Sequence, residues 1–166
     1  MLHPVVRRTW APRGQTPVLA CWDRHERLSV ISALTCSSRR RRLGLCFDIV
    51  DHNIVADDFV EFVARLLRRI RRRILLVLDR WQVHRAGVRR LERRFGDRVR
   101  VEWLPPYAPE LNPTEQVWGH TKYADLANFV PNNVFHLGQS IAESLRKTQS
   151  RRPLLSSFFQ HAKLQL

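Results

Sequence analysis

Lysine is nearly missing from this sequence of 166 residues: of its 29 cationic side chains only Lys122, Lys147 and Lys163 are lysines, and the other 26 are arginines. Cysteine is scarce too, with Cys21, Cys36 and Cys46 forming an odd set that contains no Cys-x-x-Cys pair. That pattern encodes neither a disulfide framework nor a zinc knuckle, so the three read as small core residues of a protein in a reducing cytoplasm. No long apolar run is present. The longest aliphatic stretch, Ile74 to Leu78, falls far short of the roughly 20 apolar residues that cross a bilayer, so no membrane association is expected. The opening Met1-Leu2-His3-Pro4 lacks a charged segment leading into an apolar one, and a secretory signal is not expected either.

What is present is enough apolar material for a core. Hydrophobic residues make up 44% of the chain and charged residues 27%, a balance that argues against intrinsic disorder and for one globular domain. The net charge is +14 and is unevenly placed: residues 1–100 hold 23 arginines against 10 acids, residues 101–166 six cations against five acids. A basic first part favours a polyanionic partner, nucleic acid first of all. The competing explanation is an arginine-heavy coding bias on ordinary solvated faces, which the shortage of lysine also suits.

Residues 1–18 carry Pro4, Pro12, Gly14 and Pro17 and read as an extended lead-in with a turn. Strands are expected at Leu28 to Thr35 and at about Leu43 to Val50, with the basic cluster Arg39 to Arg42 in the turn between them. Asp58-x-x-Glu61 is a capping-box pattern, and Phe59, Phe62, Val63, Leu66 and Ile70 recur at helical spacing behind it. Arg68, Arg69, Arg71, Arg72 and Arg73 cluster at that helix's end, where they serve either the helix dipole or a DNA contact. Ile74 to Leu78 reads as a strand covered on both faces, with Asp79 at its carboxyl end. A helix from about Arg85 to Phe95 should stop at Gly96, and Val99, Val101 and Trp103 alternate with charged residues as a half-buried strand. Four prolines make Leu104 to Pro113 a loop, after which Asn112 suits an N-cap and Pro113 the first helical position. Val134 to Leu145 and Leu154 to Leu164 close the chain as amphipathic helices. The order of elements predicts an α/β fold, a mixed sheet flanked by helices.

Asp79 and Glu115 stand out by position, because open α/β sheets place ligand sites at the carboxyl ends of strands. Two converging carboxylates repel, and a divalent cation, Mg2+ before softer metals, is the usual means of holding both ionised. Each acid has a plainer explanation. Glu115 could complete a capping box with Asn112, Asp79 could accept backbone hydrogen bonds in a turn, and His84 could be a first-turn helix residue facing water.

The wording around these acids carries a family signature. Leu78-Asp79-Arg80-Trp81-Gln82-Val83-His84, followed by Leu104-Pro105-Pro106-Tyr107-Ala108-Pro109-Glu110-Leu111-Asn112-Pro113-Thr114-Glu115-Gln116-Val117-Trp118, resembles the DDE endonuclease domain of bacterial Tc/mariner-type insertion-sequence transposases. Arg7 to Pro17 resembles the segment that follows the first catalytic strand in that family. The resemblance implies an RNase H-like fold over residues 1–166, and three carboxylates with Mg2+ or Mn2+, two metal ions in the complete domain, that cut and rejoin DNA. Asp79 then matches the second carboxylate and Glu115 the third, as catalytic and metal-binding residues. His84, Asn112, Trp118 and Lys122 match supporting positions that orient the carboxylates, pack the helix or touch phosphate. Arg80 stands where the wider superfamily often has asparagine, and together with Arg39, Arg40, Arg41, Arg42 and Lys122 it is a candidate DNA contact. The implied partners are double-stranded DNA, at transposon ends and target, and a full-length transposase or a second copy; the implied location is the bacterial nucleoid.

The same resemblance predicts an incomplete domain. The family's first aspartate belongs to an Asp-Glu-Ser-Gly-like strand upstream of Arg7, and none of Asp23, Asp48 or Asp51 sits in a matching motif. A first strand and an amino-terminal helix-turn-helix region are therefore expected to be lacking, and the expected function is that of a transposase in a truncated, inactive copy. Two other readings remain open: a non-catalytic basic remnant that binds DNA or modulates full-length transposase, and a different RNase H-like nuclease.

Overall fold

Strict alternation shapes the first two strands. In the computed structural model, which describes residues 5–18 and 27–164, strand β1 (Ser29–Cys36) and strand β2 (Leu43–Val50) form an antiparallel hairpin in which Ile31 faces Asp48, Ala33 faces Cys46 and Leu34 faces Leu45. Successive strand residues point to opposite sides. Ile31, Ala33 and Cys46 therefore enter one apolar core, while Val30, Leu34, Leu45, Phe47 and Ile49 enter a second. The hairpin is a wall between two cores. Cys46 is half-buried in it, and burial pushes its thiol pKa up, whereas Cys36 is exposed at the end of β1, so the expectation of core cysteines fails there. Cys21 and Asp23 lie outside the described residues.

The first core is closed by helix α1 (Ala56–Arg69), strand β3 (Ile74–Leu78), helix α2 (Gln82–Phe95) and strand β4 (Val99–Trp103). Phe59, Phe62, Val63, Leu66 and Leu67 of α1 are at most 4% exposed, and burying each such side chain contributes about 1.5–3 kcal/mol. Helix α1 starts two residues before Asp58. Asp58 is its third residue and reaches back to accept the Val55 N–H at 2.8 Å, so it supplies the return half of a capping box and is not the cap. Helix α2 likewise starts three residues earlier than its periodicity indicates and ends at Gly96, whose φ of 48° suits a residue without Cβ.

Strands β3 and β4 pair in parallel, Leu78 beside Trp103, and bury Ile74, Leu76, Leu78, Val99, Val101 and Trp103 against α1 and α2. Their other face is open. Leu75 and Val77 are 57% and 56% exposed, which overturns the reading of Ile74 to Leu78 as a strand covered on both faces: an unbroken apolar run does not reveal whether a second layer lies over it.

The second core joins the hairpin to helices α3 (Pro113–His120), α4 (Val134–Ser150) and α5 (Arg152–His161), with Val117, Leu145 and Leu155 at its centre. Residues 5–18 run extended with a turn at Pro12–Gln15, and Val5 bridges Ala127. The mixed sheet predicted from the order of elements is present as two separate two-stranded sheets, β1–β2 antiparallel and β3–β4 parallel. Asp48 of β2 pairs with the half-exposed Arg65, while Ile31 of β1 is buried in the first core. Helix α2 packs on β4 and on α1. Among the described residues, strands β1 and β3 are not hydrogen-bonded to each other, and β3 pairs only with β4.

Candidate functional site

Parallel pairing of β3 and β4 sets the position of the acids. The Leu104 N–H donates to the Leu78 carbonyl at 2.8 Å, extending the ladder one step and laying the proline-rich loop beside Asp79. The loop makes one turn of 3-10 helix at Pro109–Leu111 and delivers Asn112 and α3. Asp79, Arg80, Leu104 to Pro109, Asn112 and Glu115 line a single open cleft of about 410 Å³. Strand end and helix start, 36 positions apart in sequence, thus contribute both acids to one cleft.

Asp79 is fixed in place. Its Oδ1 accepts the Trp81 N–H at 3.0 Å and lies 2.7 Å from Nδ1 of His84. The turn explanation of Asp79 is therefore half right: the backbone bond exists, and a histidine is added to it. His84 is the third residue of α2, only 15% exposed in its side chain, and is held between the Phe59 ring at 4.8 Å and the edge of Trp81 at 5.3 Å. Its partner is a carboxylate rather than water. Phe59 comes from α1, so the first core sets the orientation of the imidazole that orients Asp79.

Glu115 sits in the first turn of α3, where the helix dipole favours a negative charge. The capping-box explanation does not hold for it. The Asn112 side chain accepts the Thr114 N–H at 3.1 Å, and the Glu115 carboxylate makes no hydrogen bond among the described residues. It is exposed and lines the cleft.

The other sequence candidates divide between the cleft and elsewhere. Arg80 lines the cleft, exposed, with Nε donating to the Leu104 carbonyl at 3.3 Å. Trp118 packs in the second core. Lys122 is exposed in a π-helical turn, Thr121–Asp125, that continues α3; Ser144 Oγ anchors this turn by donating to Asp125 Oδ2 at 2.7 Å. Neither Trp118 nor Lys122 lines the cleft. Arg39 to Arg42 occupy the β1–β2 turn, all exposed, and do not join the acids. Tyr107 was not singled out by sequence reasoning: it lines the cleft, fully exposed, with φ of 58°. Two prolines before an aromatic residue are the signal that could have marked it, since they restrict the backbone that presents the ring.

Hard carboxylate oxygens suit Mg2+ or Mn2+ in kind. They fall short in number, because among the described residues no group of three His, Cys, Asp or Glu side chains is placed to hold a metal ion. Asp48 is taken by Arg65, and Asp51 pairs with His52.

Residues 1–133 match the family described as DDE superfamily endonuclease. No curated protein matches the chain in sequence. Among solved structures, a chain in the crystal structure of the Mos1 Strand Transfer Complex shares the fold with a TM-score of 0.61 at 12% identity, over 96% of this chain and 46% of that one. The chain thus spans less than half the length of that structural relative, and the RNase H-like α/β fold expected from the sequence is the fold found.

Proposed function

Since the chain belongs to the DDE superfamily endonucleases, we propose that it is the DNA-processing part of an insertion-sequence transposase, built for strand cleavage and strand transfer. The carrying observation is that Asp79 and Glu115 line one cleft at the carboxyl end of β3. Asp79 and Glu115 are the catalytic, metal-binding acids of this reading. His84 positions Asp79, Asn112 holds the first turn that carries Glu115, and Trp118 packs that helix. Arg80 beside the acids, and Lys122 further along the same helix, are phosphate contacts. A bound divalent cation, Mg2+ or Mn2+, would supply Lewis-acid stabilisation of the phosphoryl oxygens.

The acid set of this reading is incomplete among the described residues, which place no third carboxylate with Asp79 and Glu115. A strand bearing a third carboxylate, paired with the free edge of β3, would extend the sheet and complete the cation shell. The isolated chain is then a binder of duplex DNA with negligible cleavage, which also allows it to act on full-length transposase through mixed assembly.

The test uses the whole chain with labelled duplex DNA and 5 to 10 mM Mg2+ or Mn2+, about the range that saturates weak carboxylate sites. Salt-dependent binding without nicking is expected. Metal-dependent cleavage abolished by Asp79→Asn would refute the incomplete acid set, and no affinity for duplex even at low salt would refute the DNA-processing reading.

A further inference from the structure

The strand and helix directions give the molecule two ends. Helices α1 and α2 run side by side in the same direction, tied by ion pairs Asp57–Arg90 and Glu61–Arg94. Their first turns lie at the Asp79 end, where Phe59 meets His84. Their last turns lie at the start of β3, about 17 Å away along a five-residue strand. Arg69 of α1 reaches Cys46 of β2, so the hairpin turn Ser37 to Arg42 also projects toward this second end. Arg39 to Arg42 in that turn and Arg68, Arg69, Arg71 and Arg72 at the end of α1 lie toward this end; Arg94 is paired with Glu61 and Arg73 with Asp97, and Glu92 is a further acid there.

Two features separate this cluster from ordinary helix-end charge. The carbonyls at the end of α1 are met by Arg98, which donates to Leu67 at 3.0 Å and Ile70 at 3.3 Å. Arg68, Arg71 and Arg72 are left without a hydrogen bond or ion pair among the described residues, as are the side chains of Arg39 to Arg42. Second, the turn that carries those four arginines is built: Ser37 takes the Arg40 N–H on its carbonyl at 2.7 Å and the Arg42 N–H on its Oγ at 3.0 Å, and Arg40 adopts φ of 55°. Four guanidinium groups are thus presented on an ordered tip.

We propose that this basic end is a second duplex-DNA surface, separate from the acid cleft, by which one chain holds a second DNA segment while the cleft faces the first. Guanidinium groups without protein partners suit phosphate oxygens, and contacts of this kind carry affinity without base sequence. The inference rests on the DNA-processing reading of the cleft.

The experiment measures anisotropy of a fluorescent 20-base-pair duplex of arbitrary sequence against KCl concentration. The variant R39S/R40S/R41S/R42S, with thermal melting to confirm folding, should reduce the slope of log affinity against log salt by about 3 to 4, since each lost phosphate contact removes about 0.9. R71Q/R72Q, which leaves the turn intact, should reduce it by about 2. Wild type should also bring two differently labelled duplexes into energy-transfer range, and both variants should lose this while still binding one duplex. An unchanged slope in both folded variants overturns the second surface and leaves the cleft reading standing. No binding by wild type overturns the cleft reading as well.

Discussion

Replacing Gly87 by alanine tests whether packing in the first core fixes the candidate site. A Cβ added at Gly87 would collide with Cδ1 of Phe59, lie 3.1 Å from its Cε1 and sit 3.4 Å from the Ala56 carbonyl oxygen. Alanine is favoured over glycine inside a helix by up to about 1 kcal/mol, whereas overfilling a packed core costs about 1–3 kcal/mol. Phe59 is 3% exposed and packed within the first core, so the steric cost is expected to exceed the helix gain. We expect Gly87→Ala to destabilise the chain by about 1–2 kcal/mol, lowering Tm by roughly 2–8 °C at 2–4 °C per kcal/mol for this size. The displaced ring would press on His84, so the imidazole resonances of His84 should shift as well. Phe59→Leu removes Cε1 and replaces the rigid ring by a branched side chain whose Cδ atoms can turn away from the added Cβ. In a double-mutant cycle measured by urea unfolding, the pair should recover at least about 1 kcal/mol relative to additivity. A Gly87→Ala variant as stable as wild type, or strict additivity with Phe59→Leu, would refute this account of the helix contact.

Loss of the α3 cap should be felt in the same way but more weakly: Asn112→Ala removes the acceptor for Thr114 N–H and is expected to cost about 0.5–2 kcal/mol in urea unfolding, with Asn112→Asp near wild type. The Asp51–His52–Asp58 cluster predicts opposite pH trends for its members. Hydrogen bonds to Asp51 first and Asp58 second raise the His52 pKa, so its contribution to stability is complete below the ordinary imidazole range and disappears as pH climbs through the raised folded value. The Asp58 pKa is lowered mainly by the Val55 N–H, with His52 secondary, so its contribution is present above the ordinary carboxylate range and is lost as pH falls through the lowered folded value. In an NMR titration, Asp58→Asn should lower the His52 pKa, while His52→Ala should leave most of the Asp58 shift in place. A His52 titration unmoved by Asp58→Asn would remove the ring contact from the account.

Local chemistry made much of the molecule legible in the sequence. Strand β2, the stop of α2 at Gly96, the half-buried alternation of β4 and the start of α3 at Asn112-Pro113 all follow from features within a few residues, namely period-two patterning, a glycine in the left-handed region and a proline at a position with no hydrogen bond to lose. The motifs around Asp79 and Glu115 pointed to both acids for the same reason: each depends on its own strand end or helix start. Tertiary structure decided what those motifs share. A parallel β3–β4 register put the proline-rich loop beside Asp79, Asn112 capped Thr114 and so left Glu115 open to the cleft, and Phe59 from a distant helix set the ring of His84. It also decided that the face of Leu75 and Val77 is uncovered and that Arg39 to Arg42 do not line the cleft of the acids. Burial and charge proximity are sums over neighbours far apart in sequence, so no local pattern contains them.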